Sequence, residues 1–242
     1  LGLFFDDMKG SSDLAEKQIE IVGFVQNQTK KKILFCPTYY SFDPILDKFF
    51  GERPAQYLDL IGSHISADVD VLWTGQKVIS PTITENDLQE VAKILKRKPF
   101  VWDNFFANDG PKQCKFLNLK SLTGRNHNAF LNSAGWAFNL MNQPFLSLAL
   151  FLASRQLLIN EMNGDEAFDS ALCSQYGDEI GKMITRHRDV FTQVGLDRID
   201  KNLKEQLIAE FSQLSAKKNA AAHEIVQWLQ GDYIVGAECL TD

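Results

Sequence analysis

The sequence predicts an α/β fold in which strand–helix units build a parallel sheet and a helical region follows it. Three observations carry that expectation. Short apolar runs alternate with amphipathic stretches up to about Asn142, polar or turn-forming residues separate them, and beyond Asn142 only helical periodicity remains.

Leu1 to Phe5, LGLFF, is a bare apolar run stopped by Asp6 and Asp7, and it predicts a core strand whose upstream context is cut away. From Ser12 to Gln26 the residues Leu14, Ile21, Val22 and Val25 recur at roughly helical spacing. Lys30 to Lys32 form a solvated loop that leads into the second strand, ILFC at Ile33 to Cys36. A helix around Ala55 to Ile61 precedes a third strand, VDVLW at Val69 to Trp73. Thr84 is placed to cap the next helix, because Glu85 and Asp87 suit its positive end and Leu88, Val91, Ala92 and Leu95 form one apolar stripe. Pro99 closes that helix, and Phe100 to Trp102 make a fourth strand. Ala129 to Leu131 is the candidate fifth strand.

Past Asn142, Phe145 to Ile159 predict a strongly apolar helix, and Leu196, Ile199, Leu203, Leu207 and Phe211 predict an amphipathic one. Ala220 to Leu229 predict another, and Glu161 to Gly195 hold one or two more with Asn163-Gly164 as a turn. The expected organisation is an α/β part over residues 1–158 and a helical part over residues 159–242.

Composition removes several classes of function. With 31 acidic against 25 basic residues, nonspecific attraction to nucleic acid phosphates is not the main business of the chain. No run of about 18 uninterrupted apolar residues is present, which excludes a helical membrane span. Cys36, Cys114, Cys173 and Cys239 lie far apart without a CxxC pair, and the four histidines are equally scattered, so neither a metal nor any other cofactor is expected.

In barrels of strand–helix units the functional side chains gather at the carboxyl ends of the strands. Here every apolar run ends in polar or aromatic residues. LGLFF meets Asp6 and Asp7; ILFC meets Tyr39 and Tyr40; VDVL meets Trp73, Thr74 and Gly75; FVW meets Asp103 and Asn104, with Asp109 five residues on; and the last run meets Asn132. Each has a bland reading as a turn, cap or core residue, and only their coincidence at one mouth argues for a site. Two adjacent carboxylates resist double ionisation, so one keeps its proton near neutral pH and an acid stands beside a base. Glycoside hydrolysis needs that combination, and in its substrate-assisted form a sugar acetamido oxygen replaces the enzyme nucleophile.

FFDDM at Phe4 to Met8, CPTYY at Cys36 to Tyr40, LWTG at Leu72 to Gly75 and WDNFFAND at Trp102 to Asp109 resemble, in sequence, order and spacing, the catalytic half of the family 84 glycoside hydrolases. That family contains the O-GlcNAcases and bacterial β-N-acetylglucosaminidases once labelled hyaluronidases. The resemblance implies an eight-stranded (β/α) TIM barrel that lacks its first three strands in this chain, followed by the helical region. It implies a retaining exo-β-N-acetylglucosaminidase that cleaves terminal β-linked GlcNAc through an oxazoline. Asp6 would accept the acetamido N–H and orient its oxygen, and Asp7 would be the general acid and base. Tyr40 would donate to the acetamido oxygen; Cys36, Thr74 and Trp102 would line the acetyl-methyl pocket; Asn104 would steady the acetamido group. Asp109 and Asn132 would bind sugar hydroxyls, with Asn139 and Asn142 close to the latter in sequence. The family's earlier strands also supply a backbone contact and a lysine to the sugar, for which this sequence offers no match. The implied partners are a GlcNAc-bearing glycan or glycoprotein and the missing first part of the same barrel, and neither nucleic acid nor membrane; the sequence leaves the compartment open, with the cytoplasm favoured. Two other readings use the same residues: a non-catalytic GlcNAc-binding remnant, and a scaffold whose C-terminal helices bind a protein. The complete acid, tyrosine and WDN set favours the enzyme, because a decaying pocket loses an acid early.

Overall fold

The computed structural model describes residues 1–236; Cys239 and the end of the GDYIVGAECLTD segment lie outside them. The chain forms two compact units, one of Leu1–Asn104 with Gly124–Phe138 and one of Phe105–Thr123 with Asn139–Asp242.

In the first unit five parallel strands, β1 (Gly2–Phe4), β2 (Leu34–Cys36), β3 (Asp70–Trp73), β4 (Phe100–Asp103) and β5 (Gly135–Phe138), lie side by side in chain order. Helices α1 (Leu14–Gln28), α2 (Ile45–Phe50), α3 (Tyr57–His64), α4 (Glu85–Leu95) and α5 (His127–Leu131) fill the connections. The register pairs Leu3 with Phe35, Phe35 with Val71, Trp73 with Val101 and Val101 with Trp136. Since side chains alternate along a strand, these residues share one face, and they pack with the helices into the core together with Leu14, Val22, Tyr57, Ile61, Leu88 and Val91. Phe4, Cys36, Leu72, Phe100 and Trp102 therefore share the other face. Across that face the Phe4 and Trp102 rings meet edge to face at 5.6 Å, although β1 and β4 are three strand spacings apart, about 14 Å in a flat sheet. The sheet is curved, and this second face is its concave side.

The expected cap on α4 is present. Thr84 accepts from the Asp87 backbone N–H while the Asp87 carboxylate accepts from the Thr84 N–H, closing a reciprocal capping box. Thr84→Ala is expected to cost about 1 kcal/mol in urea unfolding, with Thr84→Ser close to the parent.

Two expectations need correction. Ala129 to Leu131 do not form a strand; they lie in α5, because the Asn126 side chain accepts from the Ala129 N–H at 2.9 Å and starts a helix there. The fifth strand is Gly135–Phe138, where a Cβ on Gly135 would come within 2.4 Å of the Phe100 ring, so a larger residue in that register would have to displace the ring. Leu196 and Ile199 do not share a helix with Leu203, Leu207 and Phe211, because Asp200 caps α9 (Lys201–Ala216) by accepting from the Asn202 and Leu203 N–H groups.

The second unit contains α6 (Pro144–Asn160), α7 (Gly164–Tyr176), α8 (Asp178–Arg186), α9 and α10 (Ala220–Gln230). Asn163 caps α7 with its side chain, turning the anticipated Asn-Gly break into a helix start. Phe191 packs edge-on against Phe211 and Trp228, and the Trp228 indole donates to the Cys114 carbonyl at 3.1 Å. The first turn of α6 lacks a cap of its own. Glu224 of α10 supplies it, accepting from the Phe145 and Leu146 N–H groups at 3.0 and 2.8 Å. Among the described residues no helix is long and apolar enough to cross a membrane.

Candidate active site

At the carboxyl ends of β1 to β4 the chain leaves the sheet in loops, and most of the anticipated residues stand there. Asp6 and Asp7 occupy a turn immediately beyond β1 rather than the strand itself. Asp7 has a left-handed backbone (φ 61°), a conformation that aspartate tolerates and that aims the second carboxyl by a turn instead of by the pleat. Asp6 is half-buried and Asp7 exposed at its rim. Partial burial, and then the charge of Asp6, hold the Asp7 carboxyl above the ordinary aspartate range. Among the described residues neither carboxylate has an ion-pair partner that would offset this.

Cys36 ends β2 on the concave face, opposite Phe4 in the ladder. Burial first, and then Asp6 and Asp7, push its thiol far above the usual cysteine range, so it remains an uncharged, soft wall beside the aspartates. Beyond it the two tyrosines part company. Tyr39 is fully buried, donating to the Gly51 carbonyl at 2.7 Å under the Arg53 guanidinium. Tyr40 faces the aspartates: burial, followed by the charges of Asp7, Asp6 and Asp43, raises its phenol well above normal, so it stays a proton donor throughout the neutral range.

Thr74 follows β3 on the concave side and is buried; its N–H donates to the Tyr40 carbonyl at 3.0 Å and its hydroxyl to the Lys77 carbonyl at 3.2 Å. Gly75 has φ 110°, and a Cβ there would strike the Ser80 hydroxyl at 2.1 Å, which explains the glycine of LWTG. Trp102 presents its half-buried ring to the concave face against Phe4. Asn104, after β4, donates to the Val78 carbonyl at 2.8 Å, and the Val78 N–H donates to Asp43 at 3.2 Å. The loops after β2, β3 and β4 are thereby laced together by side chains the sequence reading did not single out, Asp43 above all.

Asp109 belongs to the second compact unit, half-buried on its loop. One anticipated residue of the first unit is not brought into this group. Asn132 ends α5, with its amide donating to the Asn128 carbonyl at 2.9 Å, in the connection that enters β5; the neighbouring Ala134 N–H donates to the Pro99 carbonyl, where β4 begins. It therefore lies at the amino ends of the strands, opposite the aspartates. The error follows from the misplaced strand, and the residue that actually follows β5 is Asn139.

A second feature was hidden from the sequence. Asp103 points to the helix side of β4 and is fully buried, in a bidentate pair with Arg125 (both contacts 2.8 Å), and Trp136 donates to it at 3.2 Å. Arg125 also donates to the Ser80 and Pro81 carbonyls at 2.6 Å each, pinning the approach to α4 beneath the β3 loop. Among the described residues no three His, Cys, Asp or Glu side chains are grouped to hold a metal ion.

A family model described as beta-N-acetylglucosaminidase matches residues 1–186. The chain is 33% identical over 127 residues to the Protein O-GlcNAcase of Rattus norvegicus, covering 48% of the chain and 13% of that relative. It is likewise 33% identical over 129 residues to the Protein O-GlcNAcase of Mus musculus, with the same 48% and 13% coverage. The chain thus spans only a small part of the length of these curated relatives. The fold is similar to that of a mutant O-GlcNAc hydrolase from Thermobaculum terrenum, with a TM-score of 0.70 at 24% identity over 96% of this chain and 57% of that one.

Proposed function

The chain belongs to the beta-N-acetylglucosaminidase family, glycoside hydrolase family 84, and from that premise we propose that it hydrolyses terminal β-linked GlcNAc with retention of configuration. The observation that carries this reading is the aspartate pair itself, one carboxyl held above its ordinary range by partial burial and by its neighbour's charge, with the Tyr40 phenol and Cys36 thiol beside it.

On this reading Asp6 accepts the acetamido N–H, which raises the nucleophilicity of the acetamido oxygen and turns it toward the anomeric carbon. Tyr40 donates to that oxygen and fixes its angle of attack. Asp7 gives its proton to the glycosidic oxygen as the bond to the leaving group breaks, and an oxazoline forms. Asp7, now a carboxylate, takes a proton from water as the water opens the oxazoline; two inversions at the anomeric carbon give net retention. Cys36, Thr74 and Trp102 form an apolar notch of the right chemistry for the acetyl methyl group, and Asn104 steadies the acetamido arm. The same reading takes the curved five-stranded sheet as the later part of an eight-stranded barrel, and the Phe4–Trp102 contact across its concave face supports that curvature.

Proton NMR of 4-nitrophenyl β-GlcNAc turnover tests the reading. Release of the β-anomer as first product is expected. Initial release of the α-anomer would overturn retention, and tight binding of GlcNAc-thiazoline without any turnover would favour a sugar-binding protein.

A further inference from the structure

The strands β1 and β2 run as a regular parallel ladder until just before the aspartates. Leu34 N–H donates to the Leu1 carbonyl and Phe5 N–H to the Cys36 carbonyl, and the evenly stepped pattern makes Thr38 N–H to the Phe5 carbonyl the next rung. That rung is not made. Thr38 N–H donates to the Tyr57 hydroxyl at 2.9 Å, and the Phe5 carbonyl accepts from the Thr38 hydroxyl instead. Gln18 joins the two halves, donating to the Thr38 hydroxyl at 2.7 Å and accepting from the Tyr57 hydroxyl.

The direction of every proton here is forced. A carbonyl can only accept, so the Thr38 hydroxyl gives its proton to Phe5 and accepts from the Gln18 NH2; that leaves the Gln18 carbonyl facing Tyr57, whose hydroxyl donates to it while accepting from Thr38 N–H. All three side chains are essentially inaccessible to solvent, so no water competes for these bonds. Gln18 also stands among Leu14, Ala15 and Val22 on the buried face of α1, where packing alone asks for an apolar residue. A polar group kept in such a place is fully satisfied and specific in geometry.

We infer that Gln18, Thr38 and Tyr57 are positioning residues that hold the carboxyl ends of β1 and β2 apart by the length of one side chain, and so set how the Asp6–Asp7 turn stands toward Tyr40. The peptide they grip is the one that leads directly into Asp6, and the segment they splay from it carries Tyr40 two residues later. The catalytic consequence rests on the glycosidase reading; the geometric claim does not.

Thr38→Val keeps the shape of the side chain and removes its hydroxyl, and Tyr57→Phe releases Thr38 N–H to close the missing rung. Either change is expected to lower kcat on 4-nitrophenyl β-GlcNAc about tenfold to a hundredfold, with KM much less affected, as befits misplaced reacting groups. Thr38→Ser, which retains the hydroxyl, is expected to restore most of the rate. Carbon-13 NMR titration of the carboxyl groups gives a readout independent of turnover: in Thr38→Val or Tyr57→Phe the Asp7 midpoint should fall toward that of an ordinary aspartate as the turn relaxes. Lower thermal stability with parental kcat and an unmoved Asp7 midpoint would overturn the inference and leave the network a purely structural one. Absence of turnover in the parent chain would count against the glycosidase reading alone, and the carboxyl titration would still decide the positioning claim. Should Thr38→Val fail to fold, Tyr57→Phe carries the same comparison.

Discussion

Asp6→Asn is expected to lower kcat/KM about a thousandfold on aryl and alkyl β-GlcNAc glycosides alike, because it removes the acceptor that orients the attacking acetamido group whatever the leaving group. Asp7→Asn is expected to divide the same substrates. An alkyl glycoside, whose leaving oxygen must be protonated, should lose about a thousandfold in bond cleavage, whereas a dinitrophenyl glycoside should lose under about tenfold in that step. A Brønsted series in both variants checks this, and the opposite pattern would exchange the two roles. The pH profile carries a further sign. Asp7 titrates high first through partial burial and then through the charge of Asp6. Removing that charge in Asp6→Asn should let the Asp7 proton leave sooner, so the alkaline limb of kcat/KM moves to lower pH while burial keeps it from falling the whole way.

Arg125→Met is expected to destabilise the first compact unit by about 3 to 5 kcal/mol, since it removes the guanidinium that neutralises the Asp103 carboxylate in a place with no access to water. It also leaves the Ser80 and Pro81 carbonyls without the guanidinium that now pins them. The double variant Asp103→Leu/Arg125→Met should recover part of that loss, because the larger share of the penalty belongs to the buried charge rather than to the missing attraction. Urea unfolding followed by tryptophan fluorescence measures both. Equal losses in the single and double variants would mean that the guanidinium acts mainly through the two carbonyls.

The WDN segment shows how neighbouring residues divide their labour. Trp102 and Asp103 leave β4 on opposite faces, the indole toward the concave side and the carboxylate toward the helices, and Asn104 then reaches back to Val78. Alternation alone makes the first separation readable from the sequence. The partner of Asp103 was not readable, because Arg125 lies 22 residues downstream in a stretch whose local pattern is that of a loop. Gln18, Thr38 and Tyr57 were missed for the same reason: a lone glutamine on an apolar helix face has no meaning until α1, α3 and β2 are packed together.

The amino acid order by itself determined where the first four strands end, where α4 and α10 lie, and that acids, a tyrosine, an indole and an asparagine follow the apolar runs. Those are local properties, set by hydrophobic period, side-chain caps and the alternation of a strand. Only the tertiary structure decided that Asn132 faces the amino ends of the strands, that Asp103 is a buried anchor, and that a side chain stands where a ladder rung would close. Each of these depends on which distant group satisfies a buried donor or acceptor, and burial makes such pairing obligatory without any signal from neighbours in the chain.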